Sequence, residues 1–276
     1  MRSLRLLILR NVSFQGPICL PNGIRWFEWP GAPSIPEFAS GPNKLVGLDL
    51  SESRMTIVPK PLEEFRQLKH INFSFCNSLV HVPDISFAPN LEELKFMRCI
   101  NLVGAHESIA NHDKLRNLII LDCFKLRNLT KELKSKNLEF ISFAGCKNFE
   151  MFPDIPHKVE GLEVLNLVHT AIKELPASIG NLISLEIAYL NGCSNLVGLP
   201  SNIYKLQNLR ILGLAGCKNL VEFPKLEDSA DPCIEAKLPK LQYIYLRRSD
   251  LCMKDVLENL SRFPSLIHPS STKFNF

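Results

Sequence analysis

Apolar residues recur along this chain at one fixed spacing. Leu91, Leu94, Phe96 and Cys99 spell L-x-x-L-x-L-x-x-C, and Leu209, Leu212, Leu214 and Cys217 spell it again. The first apolar residue of each copy falls at Leu4, Ile24, Leu45, Leu68, Leu91, Leu115, Leu138, Leu162, Leu185, Leu209 and Leu241, which gives about eleven copies. The second and third apolar positions lie two residues apart. On a strand they point to one side, and the residues between them point to the other. Cysteine closes the pattern at Cys76, Cys99, Cys123, Cys146, Cys193 and Cys217, with Ser53 and Thr170 standing in its place in two other copies. Most copies then continue to a proline, as in Asn195-Leu196-Val197-Gly198-Leu199-Pro200. Proline offers no further ladder hydrogen bond and turns the chain away from the sheet.

A period of about two dozen residues with this pattern specifies a leucine-rich repeat. The expected fold is α/β: a leucine-rich-repeat solenoid, or horseshoe, of about eleven coils. It has a concave parallel β-sheet and an irregular, 3-10 or short-helical convex side. One coil has no closed interior, so stacking is what buries the leucines. Residues 1–254 are read as the repeat domain, with a loop insertion at 225–240 that is rich in Asp, Glu, Pro and Ala. Residues 255–276 are read as a helix-like segment, an aborted twelfth repeat that meets Pro269, and a short tail. Because the first copy opens inside a strand with no capping element, the chain reads as part of something longer.

The charge changes this picture little. A formal net charge of +4 argues against a nucleic-acid partner, and the basic run Lys125, Arg127, Lys131, Lys134 and Lys136 has no interleaved aromatics. The ladder cysteines would lie in a row, one per coil, which is no tetrahedral cage, so no metal or cofactor is expected. Each thiol is expected to be a small buried hydrophobe whose weak S–H serves the backbone, as suits a reducing compartment. Cys19, Cys233 and Cys252 fall outside the ladder. No histidine shares a repeat position with a cysteine, and buried thiols are poor nucleophiles, so the chain is not read as an enzyme. No apolar run reaches the length of a membrane span and no signal peptide opens the chain.

Several residues carry a closer likeness. The C-x-x-L-x-x-[LF]-P continuation, the aromatic second coil Leu20-Pro21-Asn22-Gly23-Ile24-Arg25-Trp26-Phe27-Glu28-Trp29 and the cysteine-free coil Thr170-Ala171-Ile172-Lys173-Glu174-Leu175-Pro176 resemble plant intracellular disease-resistance receptors. The class is the one with a Toll/interleukin-1-receptor-like and a nucleotide-binding domain ahead of the repeats, and the likeness concerns the repeat region only. The resemblance implies a cytoplasmic or nucleo-cytoplasmic protein whose repeats recognise a pathogen effector or a guarded host protein. It also implies that they hold the receptor's own nucleotide-binding domain inactive, where that domain is present. No G-x-x-x-x-G-K-[ST] occurs here, so nucleotide binding does not carry over. The alternatives are a substrate adaptor of a ubiquitin ligase, or a truncated decoy or relic of the receptor family.

A scaffold of this kind works through its sheet face. Partner-binding candidates are the residues between and just after the strand leucines: Phe75, Lys95, Arg98, Asp122, Phe140, Asn166, His169, Tyr189, Tyr243, Tyr245, Arg247 and Arg248. Ala144, Gly145, Gly192, Gly213, Ala215 and Gly216 should make the wall shallow through coils seven, nine and ten. The sharpest expectation is the group Tyr189, Tyr243, Tyr245, Arg247 and Arg248, because aromatics and arginine most often dominate interface energy.

Overall fold

A computed structural model of the chain describes residues 4–12, 18–39, 42–58, 65–224, 237–249, 251 and 259–270. Most of the expected 225–240 loop lies outside these residues, as do Cys233, Cys252 and residues 255–258 and 271–276. The L-x-L segments form the strands Leu6–Ile8, Trp26–Glu28, Gly47–Asp49, His70–Asn72, Glu93–Met97, Asn117–Leu121, Phe140–Ser142, Val164–Asn166, Ile187–Tyr189, Ile211–Gly213, Tyr243–Tyr245 and His268–Ser270. They pair in chain order, all parallel, in one 12-stranded sheet. The fold is thus the leucine-rich-repeat solenoid that the periodicity predicts, and residues 268–270 add a twelfth strand.

Register explains why one pattern suffices. Phe27, Leu48, Ile71, Leu94, Leu118, Ile141, Leu165, Ala188, Leu212 and Ile244 are aligned partners across the sheet, and all are buried. Their neighbours on either side point outward and are mostly half-buried. A slip of one residue in any coil would turn its leucines to solvent, so burial fixes the stacking. Phenylalanines fill the wider part of the core: Phe143 stacks on Phe149 with ring centroids 4.3 Å apart, and Phe73 stacks on Phe96 at 5.6 Å.

Behind the strands each ladder thiol reaches the coil before it. The sulfurs of Cys76, Cys99, Cys146, Cys193 and Cys217 donate to the carbonyls of Leu50, Phe73, Ile120, Leu167 and Leu190 at 3.1–3.4 Å, and Cys123 approaches Phe96 O at 3.9 Å. Where the pattern changes residue, Ser53 Oγ still reaches the coil before, donating to Ala32 O at 2.6 Å, whereas Thr170 Oγ1 donates to Leu167 O of its own coil at 2.9 Å. A hydroxyl or thiol at this position therefore satisfies a carbonyl that the core would otherwise strand.

The convex side carries short 3-10 turns at Glu107–Asn111, Ala177–Asn181 and Ser201–Lys205, the last two entered from Pro176 and Pro200. Two small parallel pairs add to it, Cys19–Leu20 with Glu37–Phe38 and His81–Val82 with Gly104–Ala105. Across the 225–236 segment the chain is tied by the buried Tyr204. Its hydroxyl donates to Pro224 O at 3.0 Å and accepts from Arg262 Nη1 at 2.9 Å. On the flank ahead of the strands runs a ladder of exposed ion pairs, Lys69–Glu92, Arg116–Glu139 and Arg210–Glu186. Being exposed, they contribute little stability each.

Candidate functional site

The outward positions of the strands form two columns on the open sheet face. In the first column Trp26, Gly47 and His70 are aligned. The Trp26 ring lies across Gly47, where a Cβ would collide with it, and comes within 6.2 Å of the His70 ring. Further along this column stand Glu93, Asn117, Phe140, Val164 and Tyr243. The second column holds Glu28, Asp49, Asn72, Lys95, Asn166, Tyr189, Gly213 and Tyr245. Several of these side chains brace the turn that follows. Asp49 Oδ1 accepts from Ser51 N–H at 2.9 Å, Asn72 Oδ1 from Ser74 N–H at 3.0 Å, and Asn166 Oδ1 from Val168 N–H at 3.2 Å.

Five of the twelve candidates belong to a third column, at the turn. Phe75, Arg98, Asp122, His169 and Arg248 all have positive φ, between 53° and 61°, as do Asn11 and Glu52. The equivalent residues of other coils are Gly31, Gly145, Gly192 and Gly216. Each stands immediately before the cysteine position, where the chain swings off the strand into a left-handed turn. An L-residue there costs about 1–2 kcal/mol relative to the right-handed conformation, and glycine is the relaxed choice. Replacing Arg248 by glycine should therefore raise stability by about 0.5–1 kcal/mol, read as a higher urea midpoint at unchanged m-value. A lower midpoint would mean that the arginine itself holds the turn.

The structure brings Tyr189, Tyr243 and Tyr245 together. Tyr189 and Tyr245 are aligned on either side of Gly213, and the rings of Tyr243 and Tyr245 lie nearly parallel, 6.5 Å apart. Burial, with the neighbouring Tyr189 and Tyr243 hydroxyls, raises the pKa of Tyr245. Arg247 and Arg248 follow at the turn, both exposed, and neither forms an ion pair among the described residues. The cations of the earlier coils differ. Lys95 is 3.9 Å from Glu93 and Arg98 is 3.7 Å from Asp122. Phe75 stands apart from the tyrosines, 39 % exposed, beside Glu52 and Arg54.

Two features escaped the sequence reading. The glycines do more than lower the wall: they seat side chains from the preceding coil, Asp122 over Gly145, His169 over Gly192 and Asn191 against Gly213. The open floor is therefore confined to Gly216, with only the Gly192 backbone beside it. The turn column was also hidden, because glycine occupies it in only some coils. The Gly-Cys pairs at 145, 192 and 216 were the one signal for it.

Chemistry by the thiols is disfavoured. Burial pushes Cys76 and Cys217 up to about 12 and raises Cys193. Thiol-to-thiol hydrogen bonding is the first cause for the other two, raising Cys99 through Cys123 and bringing Cys123 to about 12 through Cys146. A protonated, buried sulfur is neither nucleophile nor metal ligand. Among the described residues no helix is long and apolar enough to cross a membrane.

Comparison with known proteins narrows what such a wall belongs to. The leucine-rich-repeat family described as "Disease resistance protein RPS4B-like" matches residues 133–276. Disease resistance protein RPP2A of Arabidopsis thaliana is 32% identical over 179 residues, which cover 64% of this chain and 13% of that protein. TMV resistance protein N of Nicotiana glutinosa is 28% identical over 165 residues, covering 58% and 14% respectively. The chain thus spans less than a fifth of the length of these relatives. Among solved structures, the leucine-rich repeat domain of the type III effector XCV3220 (XopL) aligns with a TM-score of 0.48 at 24% identity, covering 80% of this chain and 72% of that one.

Proposed function

Since this chain belongs to the leucine-rich-repeat family of the RPS4B-like disease resistance proteins, we propose that it is the recognition part of a plant immune receptor. Its open sheet face binds a pathogen effector or a guarded host protein in the cytoplasm or nucleus. In a receptor that carries a nucleotide-binding domain, the same repeats restrain that domain until the partner arrives. The observation that supports this reading is the contrast between the two faces of the sheet. The inner face is a continuous hydrophobic core, whereas the outer face gathers, within coils nine to eleven, three tyrosines and two arginines that form no ion pair among the described residues. These are the residue types that most often anchor protein interfaces.

A two-hybrid screen of the 276-residue chain against a panel of effector proteins tests it. Any interaction found should be lost when Tyr245 and Arg247 are both replaced by alanine. Arg247 is exposed and Tyr245 half-buried beside Tyr243, so stability should fall by only about 1 kcal/mol. Interactions that persist undiminished in the double variant would move the site elsewhere on the sheet.

A further inference from the structure

Charge is distributed unevenly along the sheet face. From the second coil to the sixth, its outward and turn positions include the carboxylates Glu28, Asp49, Glu52, Glu93 and Asp122, and the cations there are paired. From the eighth coil to the eleventh the same positions hold no carboxylate among the described residues. They run through Asn166, His169 and Asn191 to Gly216 and end at Arg247 and Arg248. Among the described residues, the acidic column of these coils, Glu163 and Glu186, lies on the other flank, ahead of the strands, where Glu186 already pairs with Arg210. The final coil also holds Arg248 in the left-handed turn, where the coil before it relaxes to Gly216.

We propose that this end of the wall binds an extended, acidic peptide segment of the partner. This rests on the reading that the sheet face is the recognition surface, and it adds the chemistry. The segment's carboxylates would meet Arg247 and Arg248, each as a charge-assisted and, for a guanidinium, bidentate contact. Its apolar and backbone groups would lie on Tyr189 and Tyr245 and on the floor at Gly216, where the lack of a side chain admits close approach. Coils eight to eleven span about 15 Å at about 4.8 Å per strand, which roughly five extended residues cover. A nucleic acid fits less well, because the sheet-face cations without an ion pair among the described residues are confined to one end and do not track along the wall.

The test is a selection of random peptides of roughly ten residues, displayed on phage, against the immobilised 276-residue chain. The selected peptides should be richer in Asp and Glu than the starting library and should bind more weakly as salt rises. They should bind the Arg247→Ala/Arg248→Gly variant at least about tenfold more weakly. The Arg247→Lys/Arg248→Lys variant keeps the charge but loses the bidentate geometry, and it should bind more weakly than the parent yet more tightly than the Arg247→Ala/Arg248→Gly variant. Peptides that need Tyr245 but show no acidic excess, and that bind the arginine-less variant equally well, would overturn the inference and leave the sheet-face reading standing. No selected peptides, or peptides indifferent to both Tyr245 and the arginines, would overturn both. Arginine-dependent binding of a poly-uridine oligonucleotide tighter than that of any peptide would overturn the peptide assignment.

Discussion

Raising the pH from about 8 to about 10 under reducing conditions will unfold this protein. Five ladder thiols, Cys76, Cys99, Cys123, Cys193 and Cys217, are buried and have their pKa raised, to about 12 for Cys76, Cys123 and Cys217. In the unfolded chain the same thiols titrate near about 8.5. Above that pH the unfolded state gives up protons that the folded state keeps, so the unfolded state binds fewer protons and stability falls as pH rises. Each thiol whose folded pKa stands near 12 contributes up to about 1.4 kcal/mol per pH unit, so Cys76, Cys123 and Cys217 together contribute up to about 4 kcal/mol per unit, with Cys99 and Cys193 acting in the same direction, against a total of about 5–15 kcal/mol for a domain. Urea denaturation at closely spaced pH values from about 8 to about 9.5, below the midpoints near about 10 at which free tyrosines and lysines deprotonate, reads the slope directly. Replacing Cys217, whose thiol stands near 12, by threonine, the residue that holds this position as Thr170 two coils before, should reduce the slope by up to about 1.4 kcal/mol per unit. A stability that stays level between about pH 8 and 10 would show that the ladder sulfurs are hydrated in solution.

The same ladder shows why so much of the fold was legible. Each strand carries its own statement of register: two leucines two apart, then a small polar-capable residue three further on. Because every coil repeats it, the ambiguity of a single short apolar run disappears. The site was legible only in part. Tyr189, Tyr243 and Tyr245 could be placed on one face by counting, but their convergence across Gly213 depends on which coils are adjacent and aligned. The left-handed turn column was hidden because φ is a backbone property that Phe75, Arg98, Asp122 and Arg248 do not advertise. The seating of Trp26 over Gly47, towards His70 two strands away, is a contact across coils that a pattern read within each coil does not contain.

Truncating Phe143 to alanine should cost about 3–5 kcal/mol and, beyond that, should break the molecule's cooperativity. Phe143 is fully buried in the seventh coil, stacked on Phe149 at 4.3 Å and edge-on to Phe152 at 6.4 Å. In a globular core, neighbours from every direction could move into the void. Here a coil touches only the coils before and after it, so the cavity weakens both couplings at the centre of a one-dimensional stack. The expected result is two resolved unfolding transitions where the parent shows one. Phe27→Ala removes an equally buried ring, set edge-on to Trp29 at 6.3 Å, but it lies in the second coil. That variant should lose its first coils early and leave the main midpoint nearly where it was, because a fault near the end severs little. Equal midpoint shifts in single transitions for both variants would mean that the stack behaves as one globular unit. The two variants also separate stability from recognition. Tyr189, Tyr245, Arg247 and Arg248 lie on the C-terminal side of the Phe143 fault, so the acidic-peptide binding proposed above should survive in its first unfolding step if the later coils are the more stable half. It should vanish in that step if they are the weaker.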